Sequence, residues 1–186
     1  MLDVAVAYNR YQFIGNEFLT WLWFIIDADQ SYLRKVDETV TSLYIGNRIV
    51  LENQLNEKNE MITIKGDDAG LEEGRLSLQK GAVVVELNLS YTTENQEWGF
   101  TLKGESLSIS GLKVPDTGPA ESKDDVEGMV LEKTYLAEKA ITMVNSFFYH
   151  FLQLRCSSKW NEGVVPDIKR WIESDPNTKM ASETID

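Results

Sequence analysis

The stretch Gly15-Asn-Glu-Phe-Leu-Thr-Trp-Leu-Trp-Phe24 decides how the rest of the chain must fold. We predict a helix over residues 15–27, with Asn16 as its N-cap and Glu17 in its first turn. Its apolar side chains cover every face, so the helix must be buried on all sides. Either it is the central helix of the core, or another chain covers part of it. In the second case the candidate interface residues are Phe18, Trp21, Trp23 and Phe24.

This apolar run does not indicate a membrane protein. It ends at Ile26, well short of the ~20 apolar residues that a bilayer-spanning helix requires. The first residues show no cationic start followed by a cleavage site, so we expect no signal peptide. Cys156 is the single cysteine of the 186 residues, which excludes an intramolecular disulfide. We therefore expect a cytoplasmic protein without membrane contact.

The net charge limits which partners the chain attracts. With 30 acidic and 18 basic residues, the formal charge is −12, while the hydrophobic content of 42% is ordinary for a globular fold. Such an acidic protein repels nucleic acid phosphates and anionic lipids. Any contact with DNA must then be confined to one face of the molecule or be made through a partner.

The middle of the chain alternates in the manner of β-strands. Gly46 and Asn47 have the composition of a two-residue hairpin turn, and Gly104 with Glu105 suggests a second one. Gly81 is expected to end the helix that interrupts the strands. The predicted elements here are strands at 43–45, 48–51, 61–64, 82–91, 98–103 and 106–112 and a helix at 67–80.

The last third of the sequence reads as helical. Residues 115–125 have the composition of an exposed linker. A long helix is predicted over 126–155, followed by a short helix at 166–173. We expect a single α+β domain at 1–156, a helical extension at 157–174 and a disordered tail at 175–186. Its sheet is an antiparallel meander of about five or six strands, covered by the apolar N-terminal helix and the long C-terminal helix.

The residues contain no recognisable catalytic constellation. His150 and Cys156 are six positions apart, about 600° around a helix, so their side chains should point in opposed directions. The glycines match neither a phosphate-binding loop nor a Gly-x-Ser-x-Gly turn. We predict a protein that is not an enzyme and has no cofactor or metal. A weak metal-dependent hydrolase remains the outside alternative, using three acidic pairs that we expect to be caps and turn formers: Asp27 with Asp29, Asp67 with Asp68, and Asp124 with Asp125.

One stretch runs against the overall charge. Between residues 140 and 171 there are four bases and two acids. Aromatic residues interleaved with bases are typical of surfaces that bind nucleic acid through its backbone and through stacking. The candidate DNA-contacting residues are Arg155, Lys159, Trp160, Lys169 and Arg170. Alternatively, these bases complement the dipole at the end of the long helix, and the tryptophans pack in the core.

Three stretches resemble the RdgC-type recombination-associated proteins, in the C-terminal half of their longer, divergent bacterial branch. The first is Phe13-Ile-Gly-Asn-Glu-Phe-Leu-Thr-Trp-Leu-Trp-Phe24. The second comprises Gly46-Asn-Arg-Ile-Val-Leu51 and Trp98-Gly-Phe-Thr-Leu-Lys-Gly-Glu105. The third comprises Glu132-Lys-Thr-Tyr-Leu-Ala-Glu138 and Phe147-Phe-Tyr-His-Phe-Leu152.

This resemblance implies a function that the residues alone do not. RdgC-type proteins are non-enzymatic, form ring-like homodimers around duplex DNA without sequence preference, and restrain recombinase loading. The resemblance thus implies a nucleoid-associated homodimer in the bacterial cytoplasm. The resemblance starts at the family's second half. The chain is therefore expected to be a stand-alone or truncated homologue, or one piece of a split pair whose partner supplies the N-terminal half. The alternative is a protein–protein interaction module without DNA affinity.

Overall fold

The computed structural model describes residues 4–53, 60–66, 68–119 and 122–174. The disordered tail expected at 175–186 lies outside them. The helices are α1 (Val4–Ala28), α2 (Gln30–Val36), α3 (Asp68–Gln79), α4 (Lys123–Arg155) and α5 (Val165–Glu173), with a π-helical segment at Trp160–Val164. The strands are β1 (Ser42–Asn53), β2 (Glu60–Lys65), β3 (Val83–Thr92), β4 (Glu97–Lys103) and β5 (Ser108–Lys113).

The predicted α+β class and antiparallel sheet are confirmed. The sheet has five strands in the order β2-β1-β3-β4-β5, and each neighbouring pair is antiparallel. Only β3, β4 and β5 follow one another as a meander. The chain leaves β2, passes through α3 and enters β3 on the far side of β1. The helix at 67–80 is confirmed as α3, and Gly81 adopts a φ of +89° beyond its end.

The two-residue hairpin turn predicted at Gly46 and Asn47 is wrong, because both residues lie inside β1. Ile45 pairs with Leu89 and Ile49 with Leu87, so β1 carries two extra residues between them as a bulge. A Cβ atom on Gly46 would come within 2.1 Å of the Asn88 side-chain oxygen. The glycine is therefore needed for a close approach to β3, not for a turn.

The second predicted turn is longer than expected. Lys103 pairs with Ser108, so four residues connect β4 to β5 instead of two. Within this connection Leu107 has a φ of +51°, a left-handed conformation that residues other than glycine rarely adopt. The start predicted for the next strand at Ser106 is therefore two residues too early.

Helix boundaries at the amino ends also differ from the predictions. The first helix begins at Val4, so Asn16 is not its N-cap and Glu17 does not lie in its first turn. The long helix begins at Lys123, because the Ser122 hydroxyl accepts a hydrogen bond from the Asp125 backbone N–H at 3.1 Å. The predicted linker is accordingly shorter than residues 115–125. It is also only partly exposed, since Thr117 is half-buried.

The core lies on one face of the sheet. Along β4, and along β3 from Leu87 onward, every second side chain is buried, among them Leu87, Leu89, Tyr91, Trp98 and Phe100. The Tyr91 and Trp98 rings stack with centroids 4.7 Å apart. The Trp98 indole N–H donates to the Leu136 carbonyl of α4 at 3.0 Å, which fixes α4 over β4. Each such apolar side chain contributes about 1.5–3 kcal/mol by leaving water.

Helix α1 crosses the sheet at a contact between two glycines. A Cβ atom on Gly15 would lie 1.8 Å from the Gly104 carbonyl oxygen. A Cβ atom on Gly104 would in turn lie 2.6 Å from the Asn16 side-chain oxygen. The three atoms nearest to the Cβ on Gly15 are all backbone atoms of Gly104, which cannot rotate away. The helix can therefore approach the end of β4 only because neither position carries a side chain.

We expect Gly15→Ala to lower the free energy of unfolding by at least about 2 kcal/mol, because the methyl group forces the helix off the sheet. The matched control is Gly128→Ala in α4, where no atom lies within 4 Å of the added Cβ. That change should stabilise the protein by up to about 1 kcal/mol through helix propensity. Urea unfolding measures both. Equal effects of the two substitutions would contradict the proposed close contact.

Candidate functional site

The basic stretch singled out in the sequence forms a corner where α4 ends and α5 begins. The backbone N–H of Cys156 donates to the Leu152 carbonyl, and the Ser157 hydroxyl donates to the Leu154 carbonyl at 2.8 Å, which closes α4. The chain then passes through the π-helical segment into α5. Such segments are rare in proteins. Here the segment begins at Trp160, whose ring turns into the core.

Arg155 is engaged within the chain and is not a free base. Its Nε donates to Glu17 Oε2 at 2.7 Å, and its guanidinium lies 5.5 Å from the centre of the Trp160 ring. The hydrogen bond to Glu17 raises the pKa of Arg155. Binding of a phosphate by Arg155 would compete with this ion pair.

Trp160 belongs to the hydrophobic core. It is only 5% exposed and meets Phe151 edge to face at 5.4 Å. A base cannot stack on a ring that is covered in this way. Trp160, a predicted DNA contact, is therefore a core residue. This agrees with the alternative in which the tryptophans of the basic stretch pack in the core. Trp160 and Trp171 join the same hydrophobic core as the sheet, so residues 157–174 do not form a separate unit.

Three of the five candidate DNA-contacting residues remain on the surface. Lys159, Lys169 and Arg170 are exposed. Arg170 contacts the Asp167 carboxylate one turn earlier, yet 70% of its side chain stays accessible. The corner thus presents two lysines and one partly neutralised arginine, a smaller cationic surface than the sequence suggested.

A buried cation that the sequence analysis did not identify holds α5 in place. Arg75 of α3 is only 6% exposed. Its Nη2 donates to the carbonyl oxygens of Trp171 and Ser174, each at 2.6 Å, and so satisfies the end of α5. Asp27 Oδ2 lies 3.6 Å from Arg75 Nη1 and accepts a hydrogen bond from the Trp171 indole at 2.6 Å. The helical periodicity of a single segment cannot reveal such a contact, which joins three distant elements.

The candidate interface residues of α1 are covered by the chain itself. Phe18 and Trp23 are 0% exposed and Trp21 is 1% exposed. Phe24 is half-buried, with its ring 5.7 Å from that of Trp171. For these side chains α1 is the central core helix, the first of the two alternatives that its composition left open. A partner could reach the three buried rings only if the domain opened.

His150 and Cys156 are not brought together. The His150 Nε2 atom lies 2.7 Å from the Tyr32 hydroxyl of α2, whereas Cys156 is exposed at the end of α4.

Asp27 and Asp29 serve structural roles, since Asp29 caps α2 through hydrogen bonds from two backbone N–H groups. Asp67 lies outside the described residues. Within the described ranges no three His, Cys, Asp or Glu side chains are grouped so as to hold a metal ion.

No protein-family model matches the sequence, and no curated protein matches it significantly. Among the described helices, none is both long enough and apolar enough to span a membrane.

We expect His150 to make stability depend on pH. Burial lowers the pKa of His150 below its ordinary value of 6.5, so the folded protein favours the neutral imidazole. The resulting stabilisation is complete above pH 6.5 and is lost as the pH falls through the lower pKa of the folded state. Urea unfolding between pH 8 and pH 5 should show a steeper loss for the wild type than for His150→Gln. Parallel curves for the two proteins would exclude this role for His150.

Proposed function

We propose that this chain is a non-enzymatic DNA-associated protein of the RdgC type. It binds duplex DNA without sequence preference as a homodimer in the bacterial cytoplasm, and it restrains recombinase loading. This proposal rests on the resemblance of the three stretches named above and on the way in which they pack together.

The packing of those stretches is the observation that carries the proposal. Gly15 of the first stretch contacts Gly104 of the second. Trp98 of the second donates a hydrogen bond to Leu136 of the third. Phe18 of the first meets the Phe148 ring of the third at 5.1 Å. Residues that touch in the core must be compatible with one another, so a resemblance carried by all three stretches is consistent with one shared fold.

The charge distribution limits where DNA would bind on the helical side. Lys159, Lys169 and Arg170 are the exposed bases of the corner, and each offers one phosphate contact. The remaining surface carries most of the charge of −12 and repels the duplex. Binding at this corner should therefore be weak and strongly dependent on salt.

The test is duplex binding by fluorescence anisotropy between 50 and 200 mM salt. Changing Lys159, Lys169 and Arg170 together to Glu should abolish measurable binding at the higher salt concentration. In milder Gln variants, the loss of three phosphate contacts should lower the slope of log K against log salt by about 3.

The matched control changes Lys35 of α2 and Lys133 and Lys139 of α4 to Glu. The net charge changes by the same amount as in the variant of Lys159, Lys169 and Arg170. This control should retain most of the affinity. Failure of the folded wild-type protein to shift any duplex at low salt would exclude the proposal.

A second function, protein–protein interaction, is favoured by the N-terminal part of α4. Large apolar side chains there stand in solvent, with Val130 57%, Leu131 65% and Tyr135 58% exposed. From residue 125 to residue 135 no side chain of α4 is fully buried, whereas Leu136 is. A helical segment as short as the part of α4 before Leu136 is only marginally stable without tertiary packing, and Gly128 lowers its stability further. A partner that covers these side chains would stabilise it.

We expect Val130→Asp with Leu131→Asp to abolish self-association measured by sedimentation, because two charges enter the apolar surface. The control is Met61→Asp with Leu76→Asp, which changes two other exposed apolar residues on β2 and α3. Both variants should stay folded, since all four side chains are exposed. A monomeric wild type at tens of micromolar protein would contradict a self-associating module.

A further inference from the structure

The last turn of α5 lies in a site that two other helices form, called here the socket. The side chains of the socket come from α1 and α3 and are Trp23, Phe24, Asp27, Arg75 and Gln79. Of the nine residues of α5, all of which the structure describes, Trp171 alone is fully buried. The C-terminal end of α5 is therefore its main anchor.

Aromatic rings form the apolar side of the socket. The Trp171 ring meets Trp23 and Phe24 edge to face, with centroid distances of 5.4 and 5.7 Å. The indole N–H of Trp171 donates to Asp27 Oδ2 at 2.6 Å, and the Arg75 guanidinium lies 5.3 Å from the centre of the ring. The socket thus recognises a tryptophan in three ways, through apolar contact, through a hydrogen-bond acceptor and through a cation.

The polar side of the socket binds the end of the helix backbone. Gln79 Nε2 donates to the Ile172 carbonyl oxygen at 2.6 Å. Arg75 Nη2 donates to the carbonyl oxygens of Trp171 and Ser174, each at 2.6 Å, and lies 2.6 Å from the Ser174 hydroxyl oxygen. The last carbonyl groups of any α-helix lack a partner within the helix. This side of the socket therefore recognises a helix C-terminus more than a particular sequence.

Two buried donors of the socket have no acceptor among the described residues. They are the Nε of Arg75 and the indole nitrogen of Trp23. Arg75 is 6% exposed and Trp23 is 0% exposed, so bulk water does not reach these atoms. A buried donor without a partner loses the hydrogen bonds that it would make to water. With α5 in place, the socket therefore keeps hydrogen-bonding capacity that α5 does not use.

The unpaired Nε of Arg75 indicates what a better occupant would carry. Nε and Nη2 lie along one edge of the planar guanidinium, and a carboxylate binds such an edge with both of its oxygens. Nη2 has two N–H groups but three neutral oxygens at 2.6 Å, whereas Nε has no acceptor among the described residues. Asp27 lies 3.6 Å from the other nitrogen, Nη1, and so leaves this edge free. A carboxylate at the position of the Ser174 carbonyl would pair with both nitrogens, and such charge-assisted pairs are stronger than hydrogen bonds to neutral carbonyls.

We propose that the socket binds the C-terminal turn of a helix from another protein. The partner helix ends in a free α-carboxylate and has a tryptophan three residues before its last residue. Its carboxylate pairs with Nε and Nη2 of Arg75, and its tryptophan packs on Trp23 and Phe24 and donates to Asp27. α5 is the internal occupant that the partner helix displaces. This inference does not depend on the proposed association with DNA.

The attachment of α5 allows such an exchange. The helix spans nine residues, and the π-helical segment rather than a continuous α-helix joins it to α4. Ile168 and Ile172 are half-buried, and Lys169 and Arg170 are exposed. A helix of this length has little stability of its own, and segments with few buried contacts open before the whole domain does. We therefore expect α5 to leave the socket while the sheet and α4 stay folded.

The test is fluorescence anisotropy with a labelled peptide of the sequence of residues 160–174, made once with a free C-terminal carboxylate and once as the amide. In the full chain, Trp171→Ala weakens the internal occupant and keeps every side chain of the socket. This variant should bind the acid peptide about tenfold more tightly than the wild type does, because α5 then competes less. It should bind the amide about tenfold more weakly than the acid, because the charge-assisted pair is lost.

Arg75→Lys tests whether the guanidinium edge recognises the carboxylate. A lysine keeps the charge beside Asp27 but cannot form two parallel hydrogen bonds to a carboxylate. Added to Trp171→Ala, this change should remove most of the preference for the acid peptide over the amide. Arg34→Lys on the exposed side of α2 is the matched control and should leave the preference unchanged.

A preference for the acid peptide that Arg75→Lys removes supports the inference. Equal binding of the acid and amide peptides overturns it, as does a folded Trp171→Ala variant that binds neither peptide or binds no more tightly than the wild type. Parallel weakening of both peptides by Arg75→Lys, the result of a purely structural role, also overturns it. If circular dichroism shows that Trp171→Ala unfolds the chain, Ile168→Ala weakens α5 more mildly and the same comparison decides. Because the assay contains no DNA, failure here leaves the proposed function intact.

Discussion

The structure depends on the crossing of α1 over the end of β4, where Gly15 meets Gly104. Because both positions lack a side chain, the helix axis can come close enough for the residues that follow, Phe18 to Ile26, to sink into the sheet layer. A helix that is apolar on every face gains stability only if it is enclosed, and the sheet can cover one side alone. The other sides must be covered by helices from later in the chain. The long α4 and the short α5 supply that cover, which explains why elements more than 100 residues away in sequence share one core.

Enclosing α1 also determines which polar contacts the core must contain. Trp171 closes over Trp23 and Phe24, and its indole N–H would be buried without a partner unless Asp27 accepted it. Arg75 then compensates Asp27 and at the same time satisfies the last carbonyl groups of α5. A buried charge is costly unless it is paired, and the two Nη atoms of Arg75 reach Asp27 and the carbonyl groups of α5, so α5, α3 and α1 are coupled through this one guanidinium. Phe18, Trp21 and Trp23 of α1 are thus core residues, whereas Val130, Leu131 and Tyr135 in the first part of α4 are exposed.

Periodicity predicted most of the elements but not how they meet. The strands at 82–91 and 98–103 and the helix at 67–80 followed from spacing, because local pattern reflects burial. Gly46 and Asn47 misled because a glycine that permits a turn also permits close packing against Asn88, and a single sequence does not distinguish the two. The start of α1 was missed because the apolar run that signalled the helix begins well after its first residue. The cation that holds α5 and the core position of Trp160 could not be inferred, since each depends on contacts between segments far apart in the chain.

Charge is distributed between the two sides of the molecule in a way that composition conceals. On the helical side Arg155 is bound to Glu17 and Arg170 contacts Asp167, so two of the four bases in the basic stretch are already paired. On the face of the sheet that points away from the core, the single carboxylate of Glu86 lies within 4 Å of both Arg48 and Lys103. The field that an approaching polyanion meets is set by such local balances within about 10 Å, because salt screens more distant charges. A net charge of −12 therefore describes the solubility of the chain better than it describes either surface.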